Sequence, residues 1–167
     1  MLKPDYYYDS VFEIPYGELH AKGIRGLIFD IDNTLTRFDE DLPPPKIAAL
    51  LTRLNKMGFK VCLLTNNTNG RLNRFNRNIQ LMGIANALKP FTWGIRKAMR
   101  LMSVDKNQTV IIGDQLLADV WGGKKAGIGT ILVKPITEKD FWFVKIKRII
   151  ERRMLQKYFL EIENAKK

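Results

Sequence analysis

Histidine and cysteine are almost missing from this chain of 167 residues, which holds one of each, His20 and Cys62. No Cys/His zinc cluster can be assembled from that inventory, and no disulfide can close within the chain. A metal, if there is one, has to be hard and oxygen-bound. Cys62 lies in the apolar run from Lys60 to Thr65 and is expected to be a small buried hydrophobe. Long apolar runs are lacking as well: none approaches the ~18 residues of a membrane span, and Met1-Leu-Lys-Pro-Asp-Tyr-Tyr-Tyr8 is unlike a signal peptide. A cytoplasmic protein is therefore expected. Acidic residues are also scarce, 17 against 28 lysines and arginines, a formal charge of +11. That excess favours phosphate-bearing partners, whether nucleic acid, anionic lipid headgroups or small substrates, and does not choose among them.

What is present is a repeating order of short apolar runs and helix-period segments. It predicts an α/β fold, a mostly parallel sheet flanked by helices. Gly26-Leu-Ile-Phe-Asp30 is continuously apolar up to its last residue, as expected of a strand buried on both faces. Pro43, Pro44 and Pro45 suit a first helical turn, after which Ile47, Leu50, Leu51, Leu54 and Met57 keep helical spacing up to Gly58. Lys60 to Thr65 reads as the second strand, followed by a turn-rich loop, Asn66 to Gly70, able to cap the next helix. That helix is expected to carry Leu72, Phe75, Ile79 and Met82 and to end at Gly83. Trp93 to Met102 reads as a helix, Thr109 to Gly113 as a strand, Gln115 to Ala126 as a helix and Gly129 to Val133 as a strand. Gly122-Gly-Lys-Lys-Ala-Gly127 lies where a helix enters a strand, the reverse of phosphate-loop order, so its glycines are expected to terminate the helix. A single domain is expected, with an aromatic arm over residues 1–22, a core over 23–134 and a basic helical extension over 135–167.

In an open α/β sheet, ligands gather at the carboxyl ends of the strands. The first strand ends in Asp30, the second in Thr65-Asn66, a short segment in Lys89-Pro90 and a later strand in Gly113-Asp114. Asp30 and Asp32, one residue apart, would project to the same side of extended backbone, and two like charges so placed call for a cation or a shared proton. An ionised Asp30 could attack phosphorus and form an aspartyl-phosphate. Asp32, its proton affinity raised by its neighbour, could protonate the leaving oxygen and then deprotonate water. Lys89 and a metal would neutralise phosphoryl oxygens, Thr65 with nearby amides would hold them, and Asp114 would complete the metal site. Taken singly, these residues also fit ordinary roles: Thr65 a strand-end hydroxyl, Lys89 a solvated lysine, Asp114 and Asp119 a helix cap and a first-turn acid.

Asp30-Ile-Asp-Asn-Thr34, Leu64-Thr65-Asn66-Asn67, Leu88-Lys89-Pro90 and Gly113-Asp114-Gln-Leu-Leu-Ala-Asp119 resemble, in order, the four motifs of the haloacid dehalogenase (HAD) superfamily of phosphatases. The resemblance implies a Rossmann-like core. It implies Mg2+ held by Asp30, the Asp32 carbonyl and Asp114, with Asp30 as nucleophile and Asp32 as acid/base. It further implies Thr65 and Asn66 as phosphate binders and Lys89 as charge stabiliser, with Asp119, Thr34 and Gly113 supporting. More narrowly the chain is similar to the YqeG-type, subfamily IIIA phosphatases, a group related to phosphatidylglycerophosphate phosphatases.

The intervals from Leu35 to Lys60 and from Asn67 to Leu88 leave no room for an inserted cap domain, so an open site is expected. Openness favours a phosphate carried on something large, such as a lipid at a bilayer. In the tail, Phe141, Trp142, Phe143, Ile146, Ile149 and Ile150 fall on one side of a helix and Lys145, Arg148 and Arg152 on another. That pattern fits either a helix lying on the inner face of an anionic membrane or one packed on the core. Arg71, Arg74 and Arg77 read as an exposed charged face or as contacts to an anionic substrate. A soluble-metabolite or nucleotide phosphatase is the alternative within the class. A basic nucleic-acid or ribonucleoprotein binder is the alternative outside it, disfavoured by the absence of a recognised nucleic-acid motif.

Overall fold

The computed structural model describes residues 2–137, 150–156, 158–160 and 163. The apolar runs form the strands β1 (Tyr6–Tyr8), β2 (Gly26–Phe29), β3 (Lys60–Leu64), β4 (Met82–Ile84), β5 (Thr109–Gly113) and β6 (Gly129–Val133). They make one sheet in the order β1-β6-β5-β2-β3-β4, and every pairing is parallel. The helices α1 (Tyr16–Ala21), α2 (Pro45–Lys56), α3 (Asn69–Asn76), α4 (Trp93–Met102) and α5 (Trp121–Ala126) supply the crossovers that parallel strands need.

Alternation along the central strand sorts the core into two layers. Leu27 and Phe29 of β2 pack with Leu19, Leu50, Leu51, Leu54, Leu72 and Phe75, so α1, α2 and α3 cover one face. Ile28 points the other way, with Cys62, Leu64, Ile95, Ala98 and Met102 beneath α4. Cys62 is buried as expected, and desolvation pushes its thiol up to about 12.

Three sequence expectations are revised. The third helix does not run to Met82. It ends at Asn76, whose side-chain amide accepts a hydrogen bond from the Leu81 amide at 2.9 Å and donates one to the Leu81 carbonyl at 2.7 Å. The closed turn frees Met82–Ile84 to pair with β3, where helical periodicity and a short buried strand had looked alike. The segment read as an N-terminal arm contributes the edge strand β1. It is stapled by Asp5, which accepts from the Thr130 amide and hydroxyl, each at 2.8 Å, and pairs with Lys124.

The helix expected from Gln115 opens with a wider π turn, Leu116–Val120, before α5. As expected, a glycine of the run ends that helix, Gly127 in a left-handed conformation at φ 74°; Gly122 and Gly123 lie within α5, and a Cβ on Gly123 would come within 2.6 Å of Ile111 and Thr130 side chains. Close approach of helix to sheet requires a glycine there.

Of the expected basic tail, residues 138–149 lie outside the described part, including Phe141 to Ile149. In the described part, Glu151 is buried and accepts from the Leu117 amide at 2.8 Å, and Met154 and Leu155 pack against Leu116, Val120 and Leu132. This part of the tail therefore packs on the core, while Ile150, expected on the apolar side, is exposed. No helix among the described residues is long and apolar enough to cross a membrane.

From β2 the chain winds outward through β3 and β4, whereas β5, β6 and β1 lie on the other side of β2. The direction reverses between β2 and β5, which places a crevice at their carboxyl ends. No domain is inserted after β2, where residues 30–44 form a loop closed by an Asp32–Thr36 bridge, or after β3, where four residues lead to α3.

Candidate active site at the carboxyl edge of the sheet

Asp30 follows β2 directly, and its amide donates to the Ile112 carbonyl of β5 at 2.9 Å, so the backbone carries its carboxylate into the crevice. Lys89 arrives there from the loop after β4. Its ammonium donates to Asp30 Oδ1 at 2.6 Å, to Asp119 Oδ1 at 2.7 Å and to the Leu64 carbonyl at 3.0 Å. All three of its donors are therefore used. The Thr34 hydroxyl lies between Asp30 Oδ2, at 3.3 Å, and Asp114 Oδ1, at 3.1 Å. The cluster is recessed: Asp30 is 6% exposed, and Lys89, Asp114, Asp119 and Thr65 are buried with it.

Burial and charge act against each other here. Desolvation, together with the nearby Asp119 and Asp114, holds the Asp30 carboxyl well above its ordinary 3.8 despite Lys89 beside it. Burial alone would discharge Lys89, but the Asp119 and Asp30 carboxylates outweigh that and raise its affinity for the proton. With all four groups ionised, three carboxylates and one ammonium leave a formal excess of two negative charges in a buried place. One oxygen from each of Asp30, Asp114 and Asp119 lies within 4.8 Å of the others. An all-oxygen, doubly negative donor set of this size suits a hard divalent cation.

Neighbouring groups fix the charged residues in place. The Asn66 side chain accepts from the Lys89 amide at 2.7 Å and donates to the Lys89 carbonyl at 3.1 Å. Its side-chain amide so fixes the loop that presents Lys89. Thr65 is buried, and its hydroxyl accepts from the Asn67 amide at 3.0 Å. Gly113 abuts Asp119, so a Cβ at that position would overlap the carboxylate. Asp119 Oδ2 also accepts from the Gln115 amide at 3.1 Å across the π turn.

The expected coupling of Asp30 to Asp32 is not what the structure has. The carboxylates acting on Asp30 are Asp119 and Asp114. Asp32 instead receives Arg71 Nε and Nη2, both at 3.0 Å from Oδ1, and Asn67 Nδ2 at 3.3 Å from Oδ2. Arg71 is buried and also donates to the Asp41 carbonyl at 3.1 Å, tying α3 to the loop after β2. Sequence reasoning grouped it with Arg74 and Arg77, which are exposed. A usable signal was its i,i+4 relation to the core residue Phe75, over whose ring the guanidinium lies at 6.0 Å.

Relatives match both the motifs and the topology. Residues 87–136 match the model of the HAD-hydrolase-like family, a span that includes Lys89, Asp114 and Asp119. "Probable phosphatase YqeG" of Bacillus subtilis (strain 168) is 34% identical over 152 residues, covering 91% of this chain and 88% of that protein. The chain belongs to the YqeG family of HAD-like phosphatases. Solved structures of the same fold include NagD from Escherichia coli K-12, with a TM-score of 0.55 and 18% identity over 69% of this chain and 90% of that one. Another is 3-deoxy-D-manno-octulosonate 8-phosphate phosphatase from Moraxella catarrhalis, in complex with magnesium and phosphate, with a TM-score of 0.57 and 16% identity over 73% of this chain and 76% of that one.

The contact between Gly113 and Asp119 makes a sharp test. Gly113→Ala should displace the Asp119 carboxylate, loosen Lys89 and lower kcat for a phosphomonoester by about a hundredfold. The circular dichroism spectrum should stay that of the parent, with phosphate release followed in parallel.

Proposed function

We propose that this phosphatase is magnesium-dependent, works through an aspartyl-phosphate on Asp30, and acts on a lipid-borne phosphate of the phosphatidylglycerophosphate type. The observation that carries the reading is the recessed, doubly negative cluster of Asp30, Asp114, Asp119 and Lys89 at the crevice between β2 and β5. Asp30, the Asp32 backbone carbonyl and Asp114 are the ligands the reading assigns to Mg2+. Bound there, the ion would offset the excess charge, keep Asp30 ionised and neutralise phosphoryl oxygens.

The chain's own groups do the rest. Lys89 orients the Asp30 carboxylate and adds positive charge beside the incoming phosphoryl oxygens. Asp30 attacks phosphorus, forming the Asp30 O–P bond as the bond to the leaving oxygen breaks, and Asp32 gives that oxygen its proton. Asp32 next takes a proton from water as the water attacks phosphorus, which frees phosphate and regenerates Asp30. Arg71 and Asn67 hold Asp32 in position for both transfers. Thr65 borders the place where the phosphoryl oxygens sit, and Thr34 supports Asp30 and Asp114.

Lipid is favoured by two features that pull in different directions for other substrates. Among the described residues no cap encloses a small metabolite, and Asp30, 6% exposed, favours a phosphate on a slender arm over one lying flat on a macromolecule. A phosphate at the end of a thin glycerol stalk, anchored in something too large to enter, meets both conditions. The test is phosphate release measured across phosphatidylglycerophosphate in detergent micelles, nucleotides and sugar phosphates, with Asp30→Asn as control. The lipid should be the best substrate, release should require Mg2+, and Asp30→Asn should slow it by more than about a thousandfold. Preferred turnover of a soluble phosphate would overturn the lipid assignment.

Metal binding has its own signature in stability. Because native Asp30 holds its proton to higher pH than the unfolded chain does, its contribution weakens as pH rises from 3.8 toward its raised native value. Mg2+ binding to the ionised cluster should therefore raise Tm more near pH ~7 than near pH ~5, read by thermal unfolding with and without the ion.

A further inference from the structure

Helices that follow parallel strands start at the carboxyl edge of the sheet, the edge that holds the site. On the side of the crevice made by α4 and α5, these starts are not polar. Leu88 is 59% exposed, Phe91 63%, Trp93 43% and Trp121 44%, all within two residues of Lys89 or Asp119 or at the first residue of a helix beside them. Lysines stand over three of their rings. The Phe91 amide donates to the Leu88 carbonyl at 2.9 Å, and Lys125 Nζ sits 5.5 Å from the Phe91 ring and 5.1 Å from that of Trp121. Lys97 Nζ stands 5.9 Å from the Trp93 ring.

The charge of this rim has one sign. From Ala85 to Val104 there is no acidic residue, and besides the buried Lys89 the basic residues are Arg96, Lys97 and Arg100; from Val120 to Lys134 there is again none, with Lys125 and Lys134 beside Lys124, which pairs with Asp5. Across the crevice the balance differs, since Arg37 pairs with Asp39 and Glu40 and Arg74 with Asp41. Exposed tryptophan and phenylalanine beside lysines, without a carboxylate in the same segments, is the composition that settles at the headgroup level of an anionic bilayer. A patch serving only to pack a protein partner has no need of so one-sided a charge.

We propose that the rim formed by Leu88, Phe91, Trp93 and Trp121, with Lys97 and Lys125, docks on an anionic lipid bilayer and holds the mouth of the site against it. The aromatic rings and Leu88 enter the headgroup region while the lysines meet lipid phosphates. Docking in this orientation presents the recessed Asp30 to a phosphate projecting from the surface. It also removes the need for membrane attachment through the tail, whose Met154 and Leu155 are occupied by the core. For its purpose the inference rests on the lipid-borne reading of the substrate; as a binding event it stands apart from turnover.

Cosedimentation of the full chain with vesicles tests it, using phosphatidylglycerol mixed into phosphatidylcholine against phosphatidylcholine alone, with neither carrying a phosphomonoester. The parent should bind the anionic vesicles at least about tenfold more tightly than the neutral ones. Phe91→Ser with Trp121→Ser, and separately Lys97→Gln with Lys125→Gln, should each lower that binding about tenfold or more while leaving turnover of a soluble phosphomonoester at the parental rate. Equal binding to both vesicles, or binding untouched by either pair of substitutions, overturns the proposal. So does concentration-dependent self-association that Phe91→Ser with Trp121→Ser abolishes when the parent shows no vesicle binding, since the rim then serves a protein contact. Hydrolysis of phosphatidylglycerophosphate in detergent micelles, measured on the same proteins, separates failure of docking from failure of the lipid substrate.

Discussion

Everything at the carboxyl edge depends on one buried ammonium. Lys89 lies between Asp30 and Asp119, and a lysine sunk this far keeps its charge only because carboxylates meet it at 2.6 and 2.7 Å. The carboxylates in turn tolerate burial because the ammonium is there. Each supporting feature serves this arrangement: Asn66 clamps the Lys89 backbone, Gly113 leaves room for Asp119, and the π turn brings Asp119 back toward β5. The pair does not close the account, since Asp114 adds a further negative charge to the same pocket. That imbalance is why the site reads as a place for a divalent cation rather than as a structural salt bridge.

A second constraint is geometric. The carboxyl edge carries no inserted domain, yet the reacting carboxylate lies below the surface. An enzyme with a cap builds its enclosure from its own chain; the described residues build none here, and on the proposed reading the substrate's own carrier surrounds the phosphate. A bilayer would supply such a surface, and on the proposed docking the apolar, basic rim on α4 and α5 is what meets it. The same reasoning separates the roles of the two acidic residues of the first motif: Asp30 is recessed among carboxylates, whereas Asp32 is partly exposed and governed by Arg71.

Much of this was legible in the sequence because the strands are short, apolar and bounded, and because motif residues fall at strand ends. Asp30, Lys89, Asp114 and Asp119 come together as their order in the chain implies. Residues failed to be legible where two physical causes leave the same trace. Met82 fits helical spacing after Ile79, and only the Asn76 turn makes it a strand residue. Gly127 is the helix stop that the glycine run suggests, whereas Gly123 answers to the distance between α5 and the sheet, which no local pattern shows. Asn66 follows a strand end like the other site residues, and nothing local shows that its side chain clamps the Lys89 backbone. Arg71 carries the charge of an exposed residue and the spacing of a core one, and its burial follows from Asp32, 39 positions earlier.

The central claim is that Asp30 carries the phosphoryl group during turnover. Acid quenching during steady-state hydrolysis, followed by borohydride reduction and peptide mass spectrometry, reads it directly, because an acyl phosphate is reduced to the alcohol while a free carboxylate is not. The account predicts homoserine at Asp30, in amounts that depend on Mg2+ and substrate together, and none at Asp32, Asp114 or Asp119. Reduction at another aspartate, or at none while phosphate is being released, would contradict it.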